Sequence, residues 1–366
     1  MRILLLGEYS NVHATLAQGL RQLGHQTMVV SNGDFWKNYP RDIDISRKEG
    51  RLGGIALMAR LASLLPRLRG YDVVQLINPM FVELKAERIF PLYKFLRRNN
   101  GRMVLGAYGM DYYWVNECCV RRHLRYSDFN IGNELRNDND AMKERRDWIG
   151  TAKERLNRLI ADDADGIVAG LYEYWSCYEP HFKEKTTFIP YPIVMPQHSG
   201  TRDVRGRRLN IFIGINRDRS HYKGTDIMLE AAKEVVGRHG DLCELSVAES
   251  VPFNEYQRMM DSADILLDQL YSYTPSMNTL LAMSKGIVCV GGGEPENYSI
   301  ISESQLRPIV NVEPTYDSVL QQLEQLVCDP DRIMRLKRES IEYVERHHDY
   351  IKVARQYSEL YKAIKT

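Results

Sequence analysis

The stretch DILLDQLYSYTPSMNTLLAMSKGIVCVGGGEP, residues 264–295, holds strand, loop, helix, strand and glycine-rich turn in one continuous run. Ile265, Leu266 and Leu267 form the short apolar run expected of a buried parallel strand, and Tyr271 to Ser276 is a polar loop containing a proline. Pro275 suits a first helical turn and Ser276 a cap. Leu280, Leu281 and Met283 supply an apolar face that stops at Lys285-Gly286. The amides of Ser276, Met277, Asn278 and Thr279 would then lack intrahelical acceptors and point, with the positive end of the helix dipole, above the strand ends. An anion fits such a place. A second strand, Ile287 to Val290, carries Gly291, Gly292, Gly293, Glu294, Pro295 and Glu296 toward the same edge, so two carboxylates are expected beside the anion site. The plainer alternative is a helix start and a glycine turn with solvated glutamates.

Working outward, the segment before this stretch repeats its plan. Leu209 to Gly214 reads as a strand. Its loop holds Arg217, Arg219, His221 and Lys223, and Gly224-Thr225 opens a helix through Met228, Leu229, Ala232 and Val235. Cations at the carboxyl end of a first strand, beside a helix start, suit a diphosphate, with a solvated basic loop as the alternative. Leu242 to Val247 is the next strand, and Glu249 and Val251 lie at its end. Pro190, Pro192, Pro196 and the polar run to Arg208 read as a linker.

The first half shows the same alternation. Ile3 to Leu6, a loop Gly7 to Asn11, a helix through Leu16, Ala17, Leu20 and Leu23, and the strand Met28 to Val30 make a parallel crossover unit. The turn carries one glycine and no acid follows the second strand, which disfavours a nicotinamide dinucleotide. Further strands are read at Val73–Ile77, Met103–Leu105, Gly166–Ala169 and Thr187–Ile189. Asp111 follows one of them between glycine-rich residues. It is either a carboxylate open to ligand or a cap for the next helix. Residues 112–148 are read as helices with a mobile lid. Leu52 to Leu65 is a strongly apolar helix ringed by Arg47, Lys48, Arg51, Arg60, Arg67 and Arg69. Two readings stand for it: a buried crossover helix with a solvated basic rim, or contact with an anionic membrane surface.

Composition narrows the classes. A chain of 366 residues with 44% hydrophobic and 27% charged residues is that of a globular protein of two ordinary domains. With 49 basic against 48 acidic side chains it carries no nucleic-acid footprint. No run is long enough to span a bilayer, and six cysteines without CxxC spacing point to a reduced, cytoplasmic compartment.

Together these residues resemble the GT-B glycosyltransferases, and more closely their retaining family four. Gly214, Arg217 and Lys223-Gly224 are similar to that family's Gly-Arg and Lys-Gly signature, with Ile215 at the usual arginine place. Asp261 to Ile265 and Leu280 to Gly286 are similar to its next two segments. The paired-glutamate places hold Tyr273 and Leu281, so both family carboxylates are absent. The resemblance implies an α/β chain of two Rossmann-like, doubly wound domains facing across a cleft. These are an acceptor domain of residues 1–195 joined by the last helix, 350–366, and a donor domain of 196–349. It implies a nucleotide-sugar donor, a saccharide or lipid-linked acceptor in cell-surface polysaccharide synthesis, and neither metal nor other cofactor. Gly7 would approach the donor phosphate, Asp111 would lie near the acceptor, and Glu294 would restore a carboxylate at the sugar. An inverting course would instead use His13 as base with Asp111 orienting it. A non-catalytic nucleotide-sugar binder and a nucleotide-sugar epimerase are the competing functions.

Overall fold

The structure, a computed structural model, describes residues 1–364 except Arg51, His198, Ser199, Arg217, Asp218, Arg219, Ser250 and the side chain of Phe253. The chain forms two compact units, one of Met1–Arg121, Lys143–Pro192 and Tyr350–Thr366, the other of Arg122–Met142 and Ile193–Asp349.

In the first unit the strands are β1 (Arg2–Leu6), β2 (Gln26–Ser31), β3 (Ile43–Asp44), β4 (Val73–Leu76) and β5 (Arg102–Ala107). A small antiparallel hairpin of the second unit follows, β6 (Asn130–Ile131) and β7 (Glu134–Leu135). The first unit resumes with β8 (Gly166–Ala169) and β9 (Thr186–Phe188). Its seven strands are all parallel, in the order β3-β2-β1-β4-β5-β8-β9. Ile3, Leu4, Leu5 and Leu6 of the interior strand β1 are all buried, as a parallel strand covered on both faces requires. The last helix, Tyr350–Ala363, packs on the helix Val12–Gln22 of this unit. Gly19 permits that approach, because a Cβ there would stand 2.6 Å from the Tyr350 carbonyl oxygen.

The second unit adds β10 (Leu209–Ile215), β11 (Cys243–Glu249), β12 (Ile265–Leu267), β13 (Val288–Gly291) and β14 (Val310–Asn311), parallel in the order β11-β10-β12-β13-β14. Each sheet is doubly wound. The order of strand addition reverses between β1 and β4 in the first and between β10 and β12 in the second, and such switch points are where α/β sheets bind ligands. Beneath the second sheet, Asp264 takes two hydrogen bonds from Arg207, at 2.8 and 2.6 Å, one from the Asn210 amide at 3.0 Å, and one from the buried Lys337 ammonium at 3.0 Å.

One difference from the sequence expectation concerns residues 122–142, assigned there to the first half. They cluster with the second unit, and the hairpin β6–β7 replaces part of the expected mobile lid.

Candidate functional site

At the carboxyl edge of the second sheet, strand register aligns Ile213, Val247, Leu267, Val290 and Val310, and Asp268 directly follows β12 there. The loop after β12 leads into the helix Met277–Ser284, with Ser276 in extended conformation ahead of it. Ser276 does not cap this helix with its own side chain. Its hydroxyl instead donates to Asp268 at 2.8 Å, the Thr279 hydroxyl donates to the same oxygen, and the Asn278 amide approaches the other at 3.5 Å. Asp268 is a residue that sequence reasoning missed. Its signal was a carboxylate ending an apolar strand. Among the described residues no acceptor meets the backbone amides of Met277, Asn278 and Thr279, so the first turn stays open to an anion while Asp268 fixes its side chains.

Neighbouring loops are drawn to this turn. Asn278 donates to the Tyr256 hydroxyl at 2.8 Å, and Gly214 is needed because a Cβ there would lie 2.5 Å from the Tyr256 ring. The Leu270 amide donates to the Lys223 carbonyl at 3.0 Å, so Lys223 stands beside the loop after β12. Gly224, at φ 70°, has Leu270 where its Cβ would be. Pro275 is buried behind the turn, Glu249 closes β11 and Val251 follows it, both half-buried. Arg217 and Arg219 lie outside the described residues.

Glu294, expected as a free carboxylate turned toward a ligand, has both oxygens engaged. Arg125 donates to one at 2.7 Å and the Tyr126 hydroxyl to the other at 2.6 Å. Arg125 also holds Glu296, at 2.5 and 3.1 Å, and its guanidinium stacks over Tyr273 at 4.9 Å. Its backbone amide donates to the Tyr273 hydroxyl at 2.7 Å. At the other end of the same lobe Arg136 stacks on Tyr271 at 3.9 Å and donates to the carbonyls of His221 and Tyr222 at 2.7 and 3.0 Å. Residues 122–142 therefore brace the short helix at 221–222, the loop 271–273 and the helix start at 294–296.

In the first unit the switch point holds a hollow of about 290 Å³, lined by Glu8, Tyr9, Phe35, Asn78, Glu144 and Trp148 among others. An adjoining hollow of about 450 Å³ shares Glu83 and Lys153 with it. Ser10, Asn11, Asp34, Phe35 and Asn38 all have positive φ. Such conformations are uncommon for residues with a Cβ, and here they gather in the two loops beside the hollow. Asp34 ties these loops together by accepting from the Ser10 amide at 2.8 Å and from Lys37 at 2.6 Å.

Three sequence candidates of this unit change role. Gly7 (φ 84°) is required by packing, since a Cβ would lie 2.3 Å from Ile77, and the leading end of the adjacent helix is already met by the Glu8 carboxylate, which accepts from the His13 and Ala14 amides at 3.1 and 2.8 Å. Burial pushes the Glu8 carboxyl up to about 8 despite those amides. His13 is sealed in the core. Its Nδ1 donates to the Gly7 carbonyl at 2.8 Å, its Nε2 faces the Gln75 amide at 3.2 Å, and burial depresses its pKa to about 3. Asp111 caps the helix Tyr112–Asn116 through the Trp114 amide at 2.9 Å and takes the Tyr178 hydroxyl at 2.7 Å on its other oxygen. It is fully buried, and burial raises its pKa to about 6. Of its two sequence readings, the cap is the one found.

Among the described residues no group of three or more His, Cys, Asp or Glu side chains is placed to hold a metal ion, and no helix is long and apolar enough to cross a membrane. No family model matches the sequence, and no curated protein matches it. Solved structures do resemble it. Anabaena HepE in complex with UDP and glucose is 12% identical with a TM-score of 0.61, covering 99% of this chain and 100% of its own. Sucrose-phosphate synthase from Thermosynechococcus elongatus is 13% identical with a TM-score of 0.63, covering 99% and 98%. A UDP-N-acetylglucosamine 2-epimerase from Listeria monocytogenes, so described provisionally, is 10% identical with a TM-score of 0.58, covering 99% and 95%. At such identities the likeness is one of fold, and the fold is that of the GT-B glycosyltransferases: two Rossmann-like α/β units, each a doubly wound parallel sheet.

Proposed function

We propose that the chain transfers a sugar from a nucleotide-diphosphate donor to a saccharide or lipid-linked saccharide acceptor. The reading extends to cell-surface polysaccharide synthesis at the cytoplasmic face of a membrane, with retention of configuration and without a metal ion. The observation that carries it is the open first turn of Met277–Ser284 at the switch point of the second sheet, beside Lys223. The likeness in fold to structures that hold UDP supports the same reading.

Leaving of the nucleotide concentrates negative charge on a diphosphate while positive charge grows on the sugar ring. The amides of Met277, Asn278 and Thr279 and the Lys223 ammonium would meet the first, each pre-aimed donor contributing on the order of 2 to 4 kcal/mol. Arg217 or Arg219 would complete the set. The departing phosphate can accept the acceptor's proton, so a retaining course needs no protein base. The burial of His13 and the capping role of Asp111 support that course over an inverting one. The acceptor would enter the hollow beside Tyr9 and Phe35 of the first unit. Glu294 is assigned to bracing the glycine turn, not to the sugar.

Thermal shift against a panel of nucleoside diphosphates tests the donor site. A nucleotide at about a hundred times its dissociation constant stabilises by about 2.7 kcal/mol. Asn278→Asp, which sets a carboxylate beside the open amides, should abolish the shift, and a panel without any shift would remove the proposal. One observation favours a second reading, a non-catalytic nucleotide-sugar binder: Tyr273 and Leu281 stand at the family's carboxylate places, and both Glu294 oxygens are engaged by Arg125 and Tyr126. Slow release of free nucleotide from a nucleotide sugar supports the transferase, binding without release supports the binder, and sugar interconversion without acceptor supports an epimerase.

A further inference from the structure

We infer that the outward face of the helix Gly53–Leu64 is a docking surface for an anionic lipid bilayer. The inward stripe of this helix, Gly53, Leu57, Leu61 and Leu64, is buried, which satisfies its contact with the first unit. Its opposite face is apolar as well. Leu52, Ile55 and Met58 are 73%, 58% and 41% exposed, and Ala59 and Ala62 between them are exposed too. A helix apolar on all sides normally lies inside a protein or a membrane, so this face lacks a partner of matching chemistry.

The charge around it selects the partner. From 45 to 71 the chain has six cations and a single acid, Glu49, in a protein whose formal net charge is +1. Arg47, Lys48, Arg60, Arg67 and Arg69 are all exposed. Arg47 packs against Gly53 and Gly54 at the leading end of the helix, while Arg67 and Arg69 follow its last turn. Apolar side chains at the centre of a cationic fringe match the acyl boundary and headgroups of an anionic leaflet. A second copy of the chain would oppose cations to cations across the same face. Twelve residues of helix extend about 18 Å, too short to span a bilayer, so the helix would lie in the interface plane. The inference rests on the transferase reading only for its purpose, which is to hold the first unit where a lipid-linked acceptor would be presented.

Co-sedimentation of the full chain with vesicles is the test, comparing pure phosphatidylcholine with phosphatidylcholine mixed with phosphatidylglycerol. Binding is expected to the anionic vesicles alone and to weaken with salt. The double variant Leu52→Asp, Ile55→Asp should lose on the order of tenfold or more in partition. Arg60→Glu with Arg67→Glu should lose a similar factor, since each cation contributes roughly fivefold. Nucleotide-induced thermal shift measured on the same variants should be unchanged, which separates failure of this surface from failure of the donor site. Absence of wild-type binding to anionic vesicles, or undiminished binding by the aspartate variant, would overturn the inference. Self-association that Leu52→Asp, Ile55→Asp abolishes, without vesicle binding, would overturn it in favour of a second copy.

Discussion

Replacing Arg125 with methionine keeps the side-chain stem and removes the guanidinium on which the 122–142 lobe converges. The Glu294 carboxylate, 9% exposed, would retain only the Tyr126 hydroxyl, and Glu296 would lose its charged partner. A charge-assisted hydrogen bond to a buried carboxylate contributes about 1.5–3 kcal/mol. The Arg125 side chain is 55% exposed, so water replaces part of it and about 1 kcal/mol is the appropriate share. The solvent-facing pair with Glu296 adds up to about 0.5 kcal/mol, and stacking on Tyr273 about 0.5 kcal/mol. The expected loss is thus about 2 kcal/mol, felt in the segments 271–276 and 291–296. Hydrogen exchange at neutral pH should report it as roughly thirtyfold less protection in those two segments. Protection in β1 and β4 should not change. The hydrogen bonds from Arg125 hold the Glu296 carboxyl below its ordinary range, so this contribution is present above the unfolded carboxylate pKa and fades as pH falls through the folded value. A cycle with Glu294→Gln should give a coupling of about 1 kcal/mol. Unchanged protection in Arg125→Met, or additive effects in the cycle, would refute the brace.

Three further outcomes follow from the same geometry. Asp264→Ala should destabilise the second unit by about 3–5 kcal/mol in urea unfolding, because Lys337 would remain buried without its partner. Glu8→Gln should change the pH dependence of the first unit: with the Glu8 pKa raised from the ordinary 4.5 to about 8, wild-type stability falls as pH rises through that interval, by up to about 1.4 kcal/mol per unit, and the variant should lack this slope. Gly7→Ala should lower the melting temperature through a clash with Ile77 and an unfavourable positive φ, while leaving any nucleotide shift intact, since the second unit carries the open turn.

What could be read from the sequence depended on how far each element's partners lie along the chain. Gly166–Ala169 and Ile265–Leu267 were found at their observed bounds, because a strand buried on both faces must be apolar throughout and loops of contrasting composition bound it. Two-residue strands such as Ile43–Asp44 bury too little to imprint a pattern, and their pairing is decided by neighbours elsewhere. The grouping of the 122–142 lobe with the second unit is illegible in the sequence for the same reason. Its anchors are single side chains, and Arg125 meets Tyr273 across 148 residues, a contact that leaves no local periodicity. Two buried polar residues do carry local signals. His13 shares a helix face with Leu16, Ala17 and Leu20, which marks it as a core position, and Asp111 stands three residues before the amide it caps. The open first turn of Met277–Ser284 is more legible because the backbone of a helix start is specified by local sequence. Side-chain roles are selected by surroundings that only the folded chain assembles, and a carboxylate such as Glu294 reads alike in sequence whether it is free or already held by arginine.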